Sequence, residues 1–225
     1  MSVTTSEFIF FKIKPSVRPE EPGNKEGEEL QQLLNDTRHQ SGHQNSAWGR
    51  SVEDENMIIW VLEWSDARSS ASTDHLDRYL DPDAQPPMAV YSTLSPPVAS
   101  SNTLTSNPVT EICVLSFASS LSGLETKQLH SDLINFRTSL MELPEEARPK
   151  SWSMGQVDRP STVKHAKSPS GKAVLHLLTV GWGSVEAHKK SRETDAFVSA
   201  IAPIREKSLG ALPGLDMKHV SFRKI

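Results

Sequence analysis

The sequence predicts an α+β protein made of two consecutive β-α-β-β-α-β units, and three observations carry that prediction. The segments "MIIWVLEW" (Met57–Trp64) and "AVLHLLTVGW" (residues 173–182) are apolar at almost every position, and each closes on a tryptophan. Each is followed by a small polar residue suited to start a helix. The stretch "SPPVASSNTLTSNP", residues 95–108, has no hydrophobic period and divides the chain into two parts that repeat one order of elements.

The elements follow in order. "EFIFFKI" (7–13) opens the first part and "EICVLSF" (111–117) the second, each a charged residue heading a β-prone run. Helical spacing comes next, in Leu30, Leu33, Leu34 and Thr37, then in Leu129, Leu133, Phe136 and Leu140. A short segment with Trp-Gly ("AWGRSV") or Met-Gly ("SWSMGQV") precedes each long apolar strand. Side chains alternate along a strand, so Ile58, Trp60, Leu62 and Trp64 point one way and Met57, Ile59 and Val61 the other. The second helix is short in the first part (Leu76, Tyr79, Leu80) and long in the second (Thr194, Phe197, Ile201, Ile204). "MAVYSTL" and "MKHVSFRKI" close the two parts. This is the split-βαβ, ferredoxin-like order, with both helices on one face of a four-stranded sheet. The other face of each sheet would be bare, so the two sheets are expected to pack against each other. The expected boundaries are 6–96 for the first repeat, 97–106 for a linker and 107–225 for the second repeat. Residues 158–171, "DRPSTVKHAKSPSG", read as an exposed hairpin loop.

Composition narrows the function classes. With 225 residues, 36% hydrophobic and 23% charged, the balance is that of an ordinary soluble chain. A formal charge of -4 without long blocks of one sign points away from nucleic acid and from a membrane surface. The single cysteine, Cys113, has no internal disulfide partner and reads as a buried, inert thiol. No apolar run resembles a signal segment, and a cytoplasmic location is expected. The eight histidines are scattered, and neither a glycine-rich phosphate loop nor a nucleophile elbow is present. No metal and no cofactor is therefore expected. The expected partner is a small apolar molecule, with a homodimer left open.

The order of elements, "WGR" at residues 48–50 and the strand-Trp-Ser helix start resemble the dimeric α+β barrel superfamily, whose best-named branch is the antibiotic biosynthesis monooxygenase-like domain. The resemblance covers residues 6–225 and implies two such domains fused into an intramolecular barrel. Its members include cofactor-free oxygenases of aromatic polyketides, haem-degrading monooxygenases, isomerases, cyclases and stress-responsive proteins without a known reaction, so fold alone leaves function open. The haem-degrading branch carries an Asn on the first strand, a Trp closing the third strand and a haem-ligating His on the helix that follows. Trp64 and His75 match two of these, and the Asn is missing from "EFIFFKI".

His176, flanked by apolar residues in "AVLHLLTV", is the candidate catalytic base, against the plainer reading of a core histidine bonded to backbone or hydroxyl. Binding candidates are Trp182 and Thr179 in the second part and Trp60, Trp64 and His75 in the first. For each tryptophan, core packing is the plainer alternative to stacking on a flat ligand. His188 falls off the Thr194, Phe197, Ile201, Ile204 stripe and is expected in water, while Lys190 falls near it with its ammonium solvated. Two functions follow. One is a cofactor-independent enzyme that oxygenates, isomerises or cyclises an apolar, aromatic or polyketide-like molecule in a sheet–helix pocket of residues 107–225. The other is a noncatalytic, stress-responsive or ligand-holding barrel. A cavity with inward polar groups favours the first.

Overall fold

Both apolar runs form central strands, and the chain folds around them in the expected order except that a 3₁₀ segment replaces the first part's second helix and the second part gains a short strand and a divided helix. The computed structural model describes residues 4–98 and 103–225, so part of the expected linker lies outside the described residues. The first half contains β1 (Thr5–Lys12), α1 (Lys25–Asp36), β2 (His43–Ser51), β3 (Met57–Trp64), a 3₁₀ segment (Asp74–Tyr79) and β4 (Met88–Ser92). The second contains β5 (Val109–Ala118), α2 (Gly123–Met141), β6 (Ser151–Arg159), β7 (Val163–Lys164), β8 (Lys172–Trp182), α3 (Val185–Arg192), α4 (Asp195–Lys207) and β9 (Lys218–Lys224). Among the described residues, no helix is long and apolar enough to cross a membrane.

Capping explains where the helices start. The Asn24 side chain accepts from the Gly27 N–H at 2.7 Å to begin α1, and Ser122 and Glu125 form a reciprocal capping box at α2. Thr194 caps α4 through the Phe197 N–H. The predicted stripes are the buried ones: Leu30 and Leu34 on α1, Leu129, Leu133, Phe136 and Leu140 on α2, Phe197, Ile201 and Ile204 on α4. Thr37 lies one turn further on, in a 3₁₀ turn rather than in the helix.

Hydrogen bonding orders the first four strands β2-β3-β1-β4, and the second half's long strands β6-β8-β5-β9. The expectation of two separate sheets facing each other is corrected at this point. β2 pairs with β9 from Ala47–Lys224 to Ser51–Val220, and β4 pairs with β6 at Tyr91–Arg159 and Ser92–Val157. Together with the β5–β8 pairing, these joints close an eight-stranded antiparallel barrel. Separate sheets would have left edges of unpaired N–H and C=O groups, and closure removes those edges. β7 adds a short piece against Ala173 and Lys172 of β8. Residues 158–171 are thus partly a paired hairpin, with His165 and Ser168 buried, rather than the fully exposed loop expected.

Alternation sorts the strand residues into an inner and an outer layer. Phe8, Phe10, Ile59, Val61, Val90, Ile112, Val114, Leu175, Leu177 and Val220 fill the barrel interior. Ile9, Phe11, Ile58, Trp60, Leu62 and Trp64 meet α1 outside, while Leu178, Val180 and Trp182 meet α2 and α4.

The joints account for the Trp-Gly and Met-Gly dipeptides. A Cβ on Gly49 would lie 2.5 Å from the Ser221 carbonyl oxygen on β9, and one on Gly155 would lie 2.4 Å from that of Thr93 beside β4. Each glycine lets the edge strand of one half approach the backbone of the other. Gly49→Ala and Gly155→Ala are each expected to destabilise the protein by ~1–3 kcal/mol through overpacking. Gly123→Ala, where a Cβ meets open space at a helix start, should be neutral or stabilising. Urea midpoints for the three variants check this.

Candidate functional site

β5 and β8 lie side by side, and their outward residues form one wall. Glu111, Cys113 and Leu115 of β5 face the helices, as do Leu178, Val180 and Trp182 of β8. Phe136 and Leu140 of α2 and Phe197, Ile201 and Ile204 of α4 form the opposite wall. Between them is a cavity of about 190 Å³. Its lining is largely apolar, with Glu111 and His188 at one end and Arg192 and Arg205 also on the wall.

Glu111 is the unusual group. Its side chain is 13% exposed. Oε2 accepts from Trp182 Nε1 at 3.0 Å and lies 3.6 Å from His188 Nε2. Burial pushes the carboxyl up to about 7, against the opposing pull of the Trp182 hydrogen bond and the Arg192 charge. The His188 ring stacks on Trp182 with centroids 4.8 Å apart and planes 12° from parallel. Burial above all, and the Arg192 charge, bring His188 down to about 3, so it is a neutral imidazole. Burial also drives the Cys113 thiol well up, leaving it protonated.

The sequence-derived residues are distributed differently from the expectation. Trp182 lines the cavity. His176 is 5% exposed on the helix-facing side of β8 but lies away from the cavity wall, edge-on to Phe117 and to His130 of α2. Its two ring nitrogens find no hydrogen-bond partner among the described residues, and burial lowers its pKa to about 4. Thr179 shares the interior face of Leu175 and Leu177 and is turned away from the cavity, because it stands an odd number of residues from Trp182. Trp60 and Trp64 are buried in the core of the first half, and exposed His75 borders an open polar groove with Leu33, Asp36 and Arg78. The Trp64–His75 pair does not converge on a common pocket.

His188 corrects the sequence reading most. It is 4% exposed, because the helical stretch breaks at Glu193–Thr194 and α3 takes a phase of its own. Extending the α4 stripe backwards through that break placed it in water. Lys190 is exposed, as expected.

The first half holds a closed counterpart. Glu7 is the third residue of β1 as Glu111 is of β5, and its Oε2 accepts from Trp64 Nε1 at 2.8 Å. It accepts in addition from the Ala71 N–H at 2.9 Å and from the Tyr91 hydroxyl at 2.5 Å. The Arg159 guanidinium covers the Tyr91 ring at 3.5 Å. Glu111 has the same tryptophan partner but a cavity beside it. The two glutamates near the starts of the first strands and the two tryptophans ending the long strands were the signal that could have identified this pair from sequence.

No family model matches the chain, and no curated protein does. Solved structures do match over nearly the whole length. An anthrone oxidase-like protein superposes with a TM-score of 0.60 at 10% identity, covering 100% of this chain and 94% of that one. A "putative monooxygenase" from Fusobacterium nucleatum gives 0.55 at 10% identity, covering 99% and 93%. One from Lactobacillus acidophilus gives 0.52 at 8% identity, covering 98% and 94%. The fold they share is an α+β barrel of antiparallel strands with helices outside. At these identities the likeness establishes the architecture of the barrel and leaves its chemistry to the residues.

In this α+β barrel, Glu111 ties stability to pH. An unfolded glutamate ionises near 4.5, whereas the folded Glu111 holds its proton to about 7. Its contribution is complete below pH 4.5, falls as pH rises through that interval and levels off above 7. Glu111→Gln, which retains an acceptor for Trp182, should gain ~3 kcal/mol on the wild type between pH 5 and pH 8, read from urea unfolding at both values. His176→Phe removes two unpartnered buried nitrogens and should leave stability unchanged or raise it by ~1 kcal/mol, measured the same way.

Proposed function

We propose that the chain is a small-molecule enzyme in which Glu111 exchanges a proton with an apolar, aromatic substrate held in the second-half cavity. The observation that carries this is a carboxyl poised near neutrality on the wall of a largely apolar cavity, lined by Trp152, Trp182, Phe136, Phe197 and aliphatic side chains with His188, Arg192 and Arg205. A base works best when its pKa lies near the working pH, and a dry apolar site spares it competition from water. At about 190 Å³ the cavity is below the ~300–1,000 Å³ typical of drug-sized ligands, which restricts the substrate to one or two rings.

Glu111 would take a proton from an acidic C–H or O–H of the substrate, leaving an enolate or phenolate between the aromatic walls. From that anion, reprotonation elsewhere gives isomerisation, attack on an internal carbon gives cyclisation, and reaction with dioxygen as oxidant gives oxygenation. Arg192 and Arg205 at the cavity offer positive charge to the developing anion. The barrel fold shared with the two "putative monooxygenases" and the anthrone oxidase-like protein supports oxygenation among the three. None of these steps calls on a nucleotide or metal, in keeping with a cofactor-independent, cytoplasmic enzyme of the antibiotic biosynthesis monooxygenase type. We read residues 6–96 and 107–225 as tandem ferredoxin-like repeats, supported by their like strand order and by the matching Glu7–Trp64 and Glu111–Trp182 pairs. The ligand-holding alternative is less favoured, since an apolar store would not require a carboxyl on its wall.

A native mass spectrum of the protein from its host should reveal a retained aromatic ligand. With that compound as substrate, Glu111→Gln should lower kcat by ~10²–10⁴-fold with binding retained. His176→Phe should leave kcat within twofold. Full turnover in a folded Glu111→Gln variant would overturn the assignment.

A further inference from the structure

A base that takes a proton in a largely apolar cavity must pass it on, and the structure places a path beside Glu111. His219 of β9 lies opposite Glu111 of β5 in the strand register, and its carbonyl accepts from the Val52 N–H just beyond β2. Its Nε2 is 2.8 Å from His188 Nδ1, and its Nδ1 is 2.6 Å from Glu53 Oε1 in the turn after β2. Both imidazoles have side chains only 5% exposed, whereas that of Glu53 is 38% exposed. A file of four titratable groups thus runs from the cavity of the second half to the surface of the first.

Counting protons shows what the file can do. With both imidazoles neutral, their two N–H groups serve the two hydrogen-bonded contacts, His188–His219 and His219–Glu53. Glu53 is held below the usual carboxylate range by hydrogen bonds from His219 and Ser51, which outweigh its burial. It therefore accepts from His219 Nδ1–H. His219 Nε2 must then accept from His188 Nδ1–H, which leaves only a lone pair on His188 Nε2 facing Glu111. At 3.6 Å the Glu111–His188 approach is longer than a hydrogen bond, so a proton crosses it only when the two side chains close that gap.

We propose that Glu111, His188, His219 and Glu53 form a proton conduit that carries the proton accepted in the cavity to the surface turn of the other half. In it, the Glu111 O–H bond breaks as an N–H forms on His188 Nε2. The His188 Nδ1–H proton moves to His219 Nε2, and the imidazolium so formed gives its Nδ1 proton to Glu53 and then to water. Both rings end as the other tautomer, and both must reset, by rotation or by N–H exchange with water, before the next proton passes. The charged groups acting on the file are Arg192 and Glu186 of α3, with the protonated Cys113 thiol beside Glu111 on β5. Lys218, next to His219, is paired with Asp216. The inference rests on Glu111 as the proton-exchanging group of the cavity, but its test needs no substrate.

The test is a pH titration of the full chain with ¹⁵N-labelled histidine, following the four ring nitrogens of His188 and His219. A conduit requires both rings to move their N–H between Nδ1 and Nε2 together at the midpoint of Glu111, and Glu111→Gln to abolish that shared switch at His188. Glu53→Gln, a substitution at a surface turn, removes the anion that holds the Nδ1–H tautomer of His219 and whose charge raises Glu111. It should lower the shared midpoint by about one pH unit on both rings. Independent titration of the two histidines, or a Glu53→Gln shift confined to His219, would overturn the conduit. Concerted switching in a protein whose Glu111→Gln variant turns over normally would support the conduit and remove Glu111 as catalytic base. Independent titration with turnover lost in Glu111→Gln would do the reverse.

Discussion

Closure of the sheet is the constraint on which the rest depends. Four-stranded sheets with helices on one face have two edges and a bare apolar face each, and both problems are solved when β2 meets β9 and β4 meets β6. The interior then fills with Phe8, Phe10, Ile59, Ile112, Leu175 and their neighbours, and the helices are left outside. The cavity beside Glu111 accordingly lies in the outer layer, between strands and helices. The same closure sets β9 between β5 and β2, with His219 beside the Glu53 turn. The cavity in the second half is therefore wired to a residue of the first, and neither half alone contains the four groups.

The outer layers differ because their glutamates are satisfied differently. Glu7 accepts from an indole, a backbone amide and a phenol, so a buried carboxyl is solvated by the protein and its surroundings collapse onto it. The segment through Ala71, Leu76 and Tyr79 closes over that site. Glu111 has the indole and, at longer range, His188. The longer α2 and α4 hold Phe136 and Phe197 edge-to-face at 5.2 Å between centroids, and these rings help form the cavity wall. A carboxyl so poorly solvated stays protonated until near neutrality, and this is what makes it chemically useful.

Element order and helix faces were legible in the sequence because they are local. The period of Leu129, Leu133, Phe136 and Leu140 fixes which side of α2 is buried without reference to anything distant. The alternation of Ile58 to Trp64 likewise assigns each residue to a layer. The joints were not legible. Gly49 and Gly155 are visible as glycines, but only the fold reveals the Ser221 and Thr93 carbonyls that exclude a Cβ. His188 was misplaced by a helix break that its composition did not announce. His176 drew attention as a lone histidine in an apolar run, whereas Glu111 stood at the head of a strand, where a charge reads as a solvated edge.

Burial creates both the base and its difficulty. The low polarity that raises Glu111 to about 7 would also slow the loss of the proton it takes up, since no water need reach a carboxyl that is 13% exposed. Two neutral rings solve this more cheaply than a water-filled channel. They can transmit a proton by exchanging tautomers while the cavity stays dry, and each ring is charged only in passing. His188 is well suited to the inner position because its lowered pKa makes it a poor resting place for the proton. His219 is suited to the outer one because the ionised Glu53 lies 2.6 Å from its Nδ1. The gradient of the file thus runs from the cavity of one half to the surface of the other, in a direction set by which residues the closed barrel buries.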